Sequence, residues 1–335
     1  MYDPDARILA SGFYIKNQDI RCCLQGKSMN FFIRALCALT FSLPVYAAEW
    51  QSPLNQDHPQ VGKVYDLSSQ MEISSNELYD KVRKASIVLV GEKHDNPDHH
   101  RIERDILKAF TRLEGNQAVI FEMLDDSQQP GIDIANEQLV PDNLKKILHW
   151  DDKRWAWDDY GPLIKQALHA SAEVQAGNLS RDQIRSIYSG GKEALTSNNT
   201  LTSALEVNKA LRTSMLEEIY TEHCEMLPRD RLVPMVNIQL ARDARMAAAV
   251  DQSNAKSTLL IAGGYHVRKD SAVPLHLRLR DNNEHPLVIM LREVDPTLQN
   301  YTGFLKDMAS QADYVWFTPR FTDRDYCNDL KTSQK

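Results

Sequence analysis

Apolar residues along this chain gather in two kinds of pattern. Five short runs, SIVLVGE (86–92), QAVIFEML (117–124), STLLIAGG (257–264), PLVIMLRE (286–293) and DYVWFTP (313–319), are apolar on successive rather than alternate positions. A strand needs that pattern when both of its faces are covered, so the runs predict an α/β fold, a mainly parallel sheet flanked by helices. Between several of them the apolar spacing is helical. Asn96 can cap and Pro97 can start a helix that buries Ile102, Ile106, Leu107 and Phe110, which gives a β-α-β opening. From Leu124 to about Pro234 no comparable run appears, whereas DNLKKILHW, YGPLIKQALHASAEV, RDQIRSIY and VNKALRTSMLEEIYTEHCEML read as helices. A core domain made of 48–125 and 234–320 is therefore expected, with a smaller all-helical insertion at 126–233 and a tail at 321–335. The long stretch PMVNIQLARDARMAAAV returns the chain to the sheet, and SGGKEALTSNNTLTS reads as a loop.

The N-terminus breaks this pattern. Residues 29–47 combine Arg34, an apolar segment from Ala35 to Leu43 that is too short to span a bilayer, and small residues suited to cleavage after Ala47. That is the layout of a signal peptide and predicts a periplasmic product, with residues 1–28 an over-called extension before a true start at Met29. Leu36 sits directly before Cys37, where lipid modification requires a small residue, which argues against a lipid anchor. The whole chain carries a net charge of -7; removal of the leader leaves 34 Lys and Arg against 43 Asp and Glu, a net -9. With no basic stripe, nucleic acid is excluded as a partner. Cys224 and Cys327 would then be the cysteines of the exported form, and their separation in sequence decides nothing about pairing.

Candidate chemistry sits where strands meet helices. GEKHDNPDHH (91–100) follows the first run and places Glu92, His94 and Asp95 at the carboxyl end of a strand, the edge at which open parallel sheets bind ligands. IAGGYHVRKDSAVPLHL repeats the layout, with Gly263 to His266 matching Gly91 to His94 as Gly-x-x-His and Pro274 in the first turn of the next helix. If the two strands are parallel, both histidines reach one edge and Glu92 joins them. His94, His266 and Glu92 would suit a divalent transition metal or general acid/base work; capping of helices and loop amides is the structural alternative. Glu122 would face the same edge. His99 and His100 have readier structural roles, His99 at the margin of the apolar stripe and His100 against Glu103 or Arg104. Trp150, Trp155, Trp157 and Tyr160 supply an aromatic surface that fits either core packing or a flat ligand. Tyr188, Tyr220 and His223 are residue types that ligate haem iron. Gln239, Arg242, Asp243 and Met246 share a helix face.

In order, VGEKHDNPDHH, FEMLDDSQQP, RWAWDDYGPL with AGNLSR, TEHCEMLP, IQLARDARMAAAV and AGGYHVRKDSAVPLHL resemble the ChaN family of haem-binding uptake proteins, within the Tiki and erythromycin-esterase-like superfamily. The resemblance covers most of residues 60–320. It implies a parallel sheet with a smaller helical domain, and haem or iron uptake with haem held cofacially between two subunits of a homodimer. It also implies a tyrosine on the iron, Tyr160 first and Tyr188 second, with His223 and Arg268 as further haem contacts and a link to an outer-membrane haem receptor system. The alternative within the superfamily is a metal-dependent hydrolase of the Tiki type that uses Glu92, His94 and His266, with Glu122 or Asp95 as the base.

Overall fold

The computed structural model describes residues 49–328 apart from 113, 114 and 299. The leader expected at 29–47 and the extension before it lie outside the described residues. All five apolar runs form strands of one eight-stranded sheet. In chain order these are β1 (Val64–Asp66), β2 (Met71–Ile73), β3 (Ile87–Glu92), β4 (Gln117–Asp125), β5 (Glu173–Asn178), β6 (Ser257–Gly263), β7 (Leu287–Glu293) and β8 (Tyr314–Thr318). Across the sheet the order is β2-β1-β8-β7-β3-β6-β4-β5. The six strands from β8 to β5 run parallel, and the β1–β2 hairpin adds antiparallel to β8.

Every residue of β3, β4 and β6 is buried, because each has helices on both faces. Val88 and Val90 point into one core with Ile102, Ile106 and Phe110 of the helix Pro97–Phe110; Ile87 and Leu89 point into the other with Met246 and Leu277. Asn96 caps that first helix by accepting from the amides of Asp98 and His99, with Pro97 opening it. The returning helix runs from Arg229 to Asp251. Its first half joins Leu179, Ile187, Leu201 and Ile219 in a third apolar cluster, while Met246, Ala247, Ala249 and Val250 pack into the core on the sheet.

The segment 126–233 is helical for most of its length but also contributes β5, the strand at the β4 edge of the sheet. Glu173–Asn178 has only Val174 and Ala176 as apolar side chains, enough for an edge strand and too few to stand out as a run. Cys224 and Cys327 form a disulfide that ties the C-terminal segment to the turn after the helix Lys209–Glu222. Among the described residues no helix is long and apolar enough to cross a membrane.

Candidate functional site

β3 and β6 are adjacent and in register, with Gly91 beside Ala262 and Glu92 beside Gly263. The two Gly-x-x-His corners therefore leave the sheet side by side. Their glycines make this possible: a Cβ on Gly91 would collide with the Val267 side chain, and one on Gly263 would lie 2.8 Å from His94 Nε2.

β4, on the other side of β6, supplies Glu122 between the histidines. Its Oε2 accepts from the Gly263 amide at 2.8 Å and lies 3.8 Å from His94 Nε2, while its Oε1 is 3.3 Å from His266 Nε2. The other nitrogen of each ring is also occupied. His94 Nδ1 is 2.7 Å from Glu92 Oε1, and His266 Nδ1 is 2.6 Å from Asp243 of the Arg229–Asp251 helix. His266 is buried and held up at about 10: burial opposes its charge, but Glu122 and Asp243 outweigh it. Burial pushes the Asp243 carboxyl up even as the imidazolium pulls it down; with a 2.6 Å contact and a second carboxylate at hand, the ionic form of the pair prevails. Glu122 is held well below the usual carboxylate range by His266, His94 and the Gly263 amide, which overcome its burial.

Glu92, His94 and His266 are thus brought to one edge but do not converge on one point. Glu92 turns Oε1 to His94 and Tyr160, and Oε2 away from His266 toward His100, 3.4 Å from Nδ1. Tyr160 is 1% exposed and donates its hydroxyl to Glu92 at 2.7 Å. Burial and the neighbouring carboxylates push that phenol far above its ordinary value, so it is a neutral donor. Asp95 accepts from the Tyr326 hydroxyl and pairs with Lys93. Tyr188 is 55% exposed on the helix Arg181–Thr196. His223 Nδ1 lies 2.8 Å from the Ile219 carbonyl at the end of its own helix. Neither Tyr188 nor His223 lines the cleft described next.

That cleft, of about 1020 Å³, opens at the sheet's carboxyl edge above the two corners. Its floor is His94, Glu122 and His266, its apolar wall includes Trp155, Met290 and Val294, and Arg242, Arg268 and Arg292 bring positive charge. Trp155 stands edge-on to His94 at 4.7 Å between ring centroids, while Trp150 and Trp157 pack on each other and on the core. Arg242 Nε and Gln239 Oε1 are buried without a hydrogen-bond partner. The tyrosine that lines the cleft is Tyr265, 54% exposed, within the second motif itself. Burial of part of its ring and the Glu222 carboxylate raise its phenol to about 12. Arg268 lies 5.9 Å over the Tyr265 ring and is held by Glu218 and Asp270.

A profile described as haem-binding uptake, Tiki superfamily, ChaN matches residues 78–277, a span that takes in both corners. Among solved structures, the chain is similar to ChaN of Campylobacter jejuni, determined for its cofacial haem binding. The two are 27% identical, with a TM-score of 0.63 over 76% of this chain and 95% of that one. The RRSP effector domain of a MARTX toxin from Vibrio vulnificus aligns over 67% of this chain and 37% of its own at 13% identity and TM-score 0.38, too loosely to bear on function. No curated protein sequence matches the chain.

Proposed function

This chain belongs to the haem-binding uptake family, ChaN, of the Tiki superfamily, and from that premise we propose that its cleft receives haem during haem or iron uptake in the periplasm. The observation that carries this reading is the lining of the cleft: at about 1020 Å³ it is at the upper end of small-molecule sites, and it combines Trp155, Met290 and Val294 with the cations Arg242, Arg268 and Arg292, alongside the carboxylates Glu92, Glu122, Glu293 and Asp295. Haem would supply a flat apolar ring, two carboxylates and a ferric centre. Trp155 and Met290 offer the apolar contact. Arg242, whose Nε is a buried unpaired donor, fits a carboxylate, and Arg268 is a second cation at the same cleft. Tyr265 is the fitting iron ligand, because it lines the cleft and is half exposed, whereas Tyr160 is buried against Glu92.

The Campylobacter jejuni protein binds haem cofacially. By extension a second copy of this chain would close over the cleft, and the exposed rings of Tyr265 and Phe321 suit such a contact. The Cys224–Cys327 bridge supports an oxidising compartment, in keeping with the leader read at 29–47.

Haemin titration followed in the visible spectrum tests the reading. Saturable binding with a high-spin, tyrosinate-type charge-transfer band is expected, and Tyr265→Phe should remove the band while Tyr160→Phe retains it. The converse result would return the ligand to Tyr160, and absence of saturable binding would defeat the haem reading altogether. A hydrolytic reading keeps one observation in its favour: Asp243 orients His266 so that Nε2 faces Glu122 on the cleft floor. His266→Ala would abolish hydrolysis in that case, and a turnover unchanged by the substitution would defeat the hydrolytic reading.

A further inference from the structure

Behind the cleft, on the far side of Glu92, three ligating atoms meet that haem binding does not use. Glu92 Oε2, His100 Nδ1 and Glu103 Oε2 converge within 4.8 Å of one another. The ring nitrogen is 3.4 Å from Glu92 and 3.2 Å from Glu103. All three side chains are buried, between β3 and the helix Pro97–Phe110. Glu92 Oε2 and Glu103 Oε1 have no hydrogen-bond partner, and a buried carboxylate oxygen left unpaired costs about 1–3 kcal/mol or more.

The tautomer sharpens the difficulty. His100 Nε2 lies 3.2 Å from the His94 carbonyl, which can only accept, so Nε2 carries a proton. In the neutral ring Nδ1 then turns its lone pair between two carboxylates. A proton there would leave one positive charge against two negative ones; a doubly charged ion would balance both.

We propose that Glu92, His100 and Glu103 form a structural site for a divalent transition ion of the zinc class, separate from the haem cleft. Ligands about 2.0–2.1 Å from a tetrahedral ion stand about 3.3–3.4 Å apart, which matches both separations to His100. Glu103 Oε1, buried and without a hydrogen-bond partner, lets that carboxylate hold the ion through both oxygens. Outer partners orient the ligands, as metal sites require: Tyr160 and His94 hold Glu92 through Oε1, and the His94 carbonyl holds His100. The ion would clamp β3 to the helix behind the cleft floor. Because the site is enclosed, loading accompanies folding. The rival occupants are two protons that also bring the cluster to neutrality: one on His100, which despite its burial Glu103 and Glu92 push up to about 9, and one on Glu103, whose carboxyl burial and Glu92 push up to about 8.

The full chain is unfolded without reductant, stripped of metal, and refolded with or without Zn²⁺; retained metal, melting temperature and X-ray absorption are then read. The wild type should keep about one equivalent through gel filtration, show only nitrogen and oxygen neighbours, and melt roughly 5 °C or more above the metal-free form. Glu103→Gln should keep less than about a tenth of an equivalent, whereas His266→Ala should bind as the wild type does. Three results would overturn the proposal: a wild type that retains no zinc and does not shift in melting temperature, full retention by Glu103→Gln, or loss of zinc in His266→Ala, which would move the ion to the cleft. If Glu103→Gln does not fold, the wild-type melting shift and absorption spectrum still decide.

Discussion

His94 and His266 are each the third residue after a glycine at the end of neighbouring parallel strands, and the strand pairing sets them side by side. His94 keeps 39% of its side chain exposed and is held on Nδ1, by Glu92 at 2.7 Å with the Tyr160 hydroxyl 3.4 Å away. His266 is buried and clamped on both nitrogens, by Asp243 and Glu122. The pattern places a histidine at an edge; the strand and helix on either side decide whether that histidine can meet a ligand. β4 happens to pass beside β6, so its Glu122 reaches His266 more closely than His94.

The strongest way to break this asymmetry is Glu122→Ala. It strips His266 of one partner, His94 of its distant one and the Gly263 amide of its acceptor, all in a buried place. Removal of one member of a buried ion pair costs about 3–5 kcal/mol. The urea midpoint should fall accordingly with an unchanged slope, and a loss below about 1 kcal/mol would mean that Glu122 does not couple the corners. A second, smaller effect compares the histidines themselves. His266→Ala leaves Asp243 buried and unpaired, so about 2–3 kcal/mol is expected; His94→Ala leaves Glu92 still bonded to Tyr160, so about 1 kcal/mol is. Equal losses in the two variants would contradict the comparison.

The sheet was readable because its central strands are buried on both faces and so print as unbroken apolar runs. β1 and β2, of three residues each, and β5, at an edge, lack that signature. The site was readable as far as the repeated glycine spacing carried it. Its wiring was not, since which oxygen of Glu92 faces which neighbour depends on side-chain torsions and on His100, a residue with an ordinary structural reading. Two signals were nevertheless present. Tyr160, Leu163, Ile164, Ala167 and Leu168 fall on one apolar stripe of the helix Trp157–His169, which marks Tyr160 as buried. Tyr265 lies within the Gly-Gly-Tyr-His turn next to an inward histidine, a place from which a ring can reach the cleft.

Another buried histidine gives the sharpest contrast with His266. His276, on the helix Val273–Leu279, is also fully buried, but its Nδ1 meets the hydroxyl of Ser203 at 2.9 Å and no carboxylate faces it. Burial, with Arg212 and Arg280 nearby, holds it down to about 3. At pH values between about 3 and the unfolded value of about 6.5, the unfolded chain therefore binds a proton here that the folded chain refuses. The contribution of His276 is full above pH 6.5 and declines as pH falls toward 3, by at most about 1.4 kcal/mol per pH unit. His266 has the opposite sign: its stabilisation is full below about 6.5 and is lost as pH rises through about 10. Denaturation of His276→Gln across pH 5 to 7 checks this, since the variant should be less stable at pH 7 yet flatter toward pH 5. A variant with the wild-type slope would show that the acid sensitivity arises elsewhere, and that burial without a carboxylate does not suffice to make a histidine the counterpart of the clamped one.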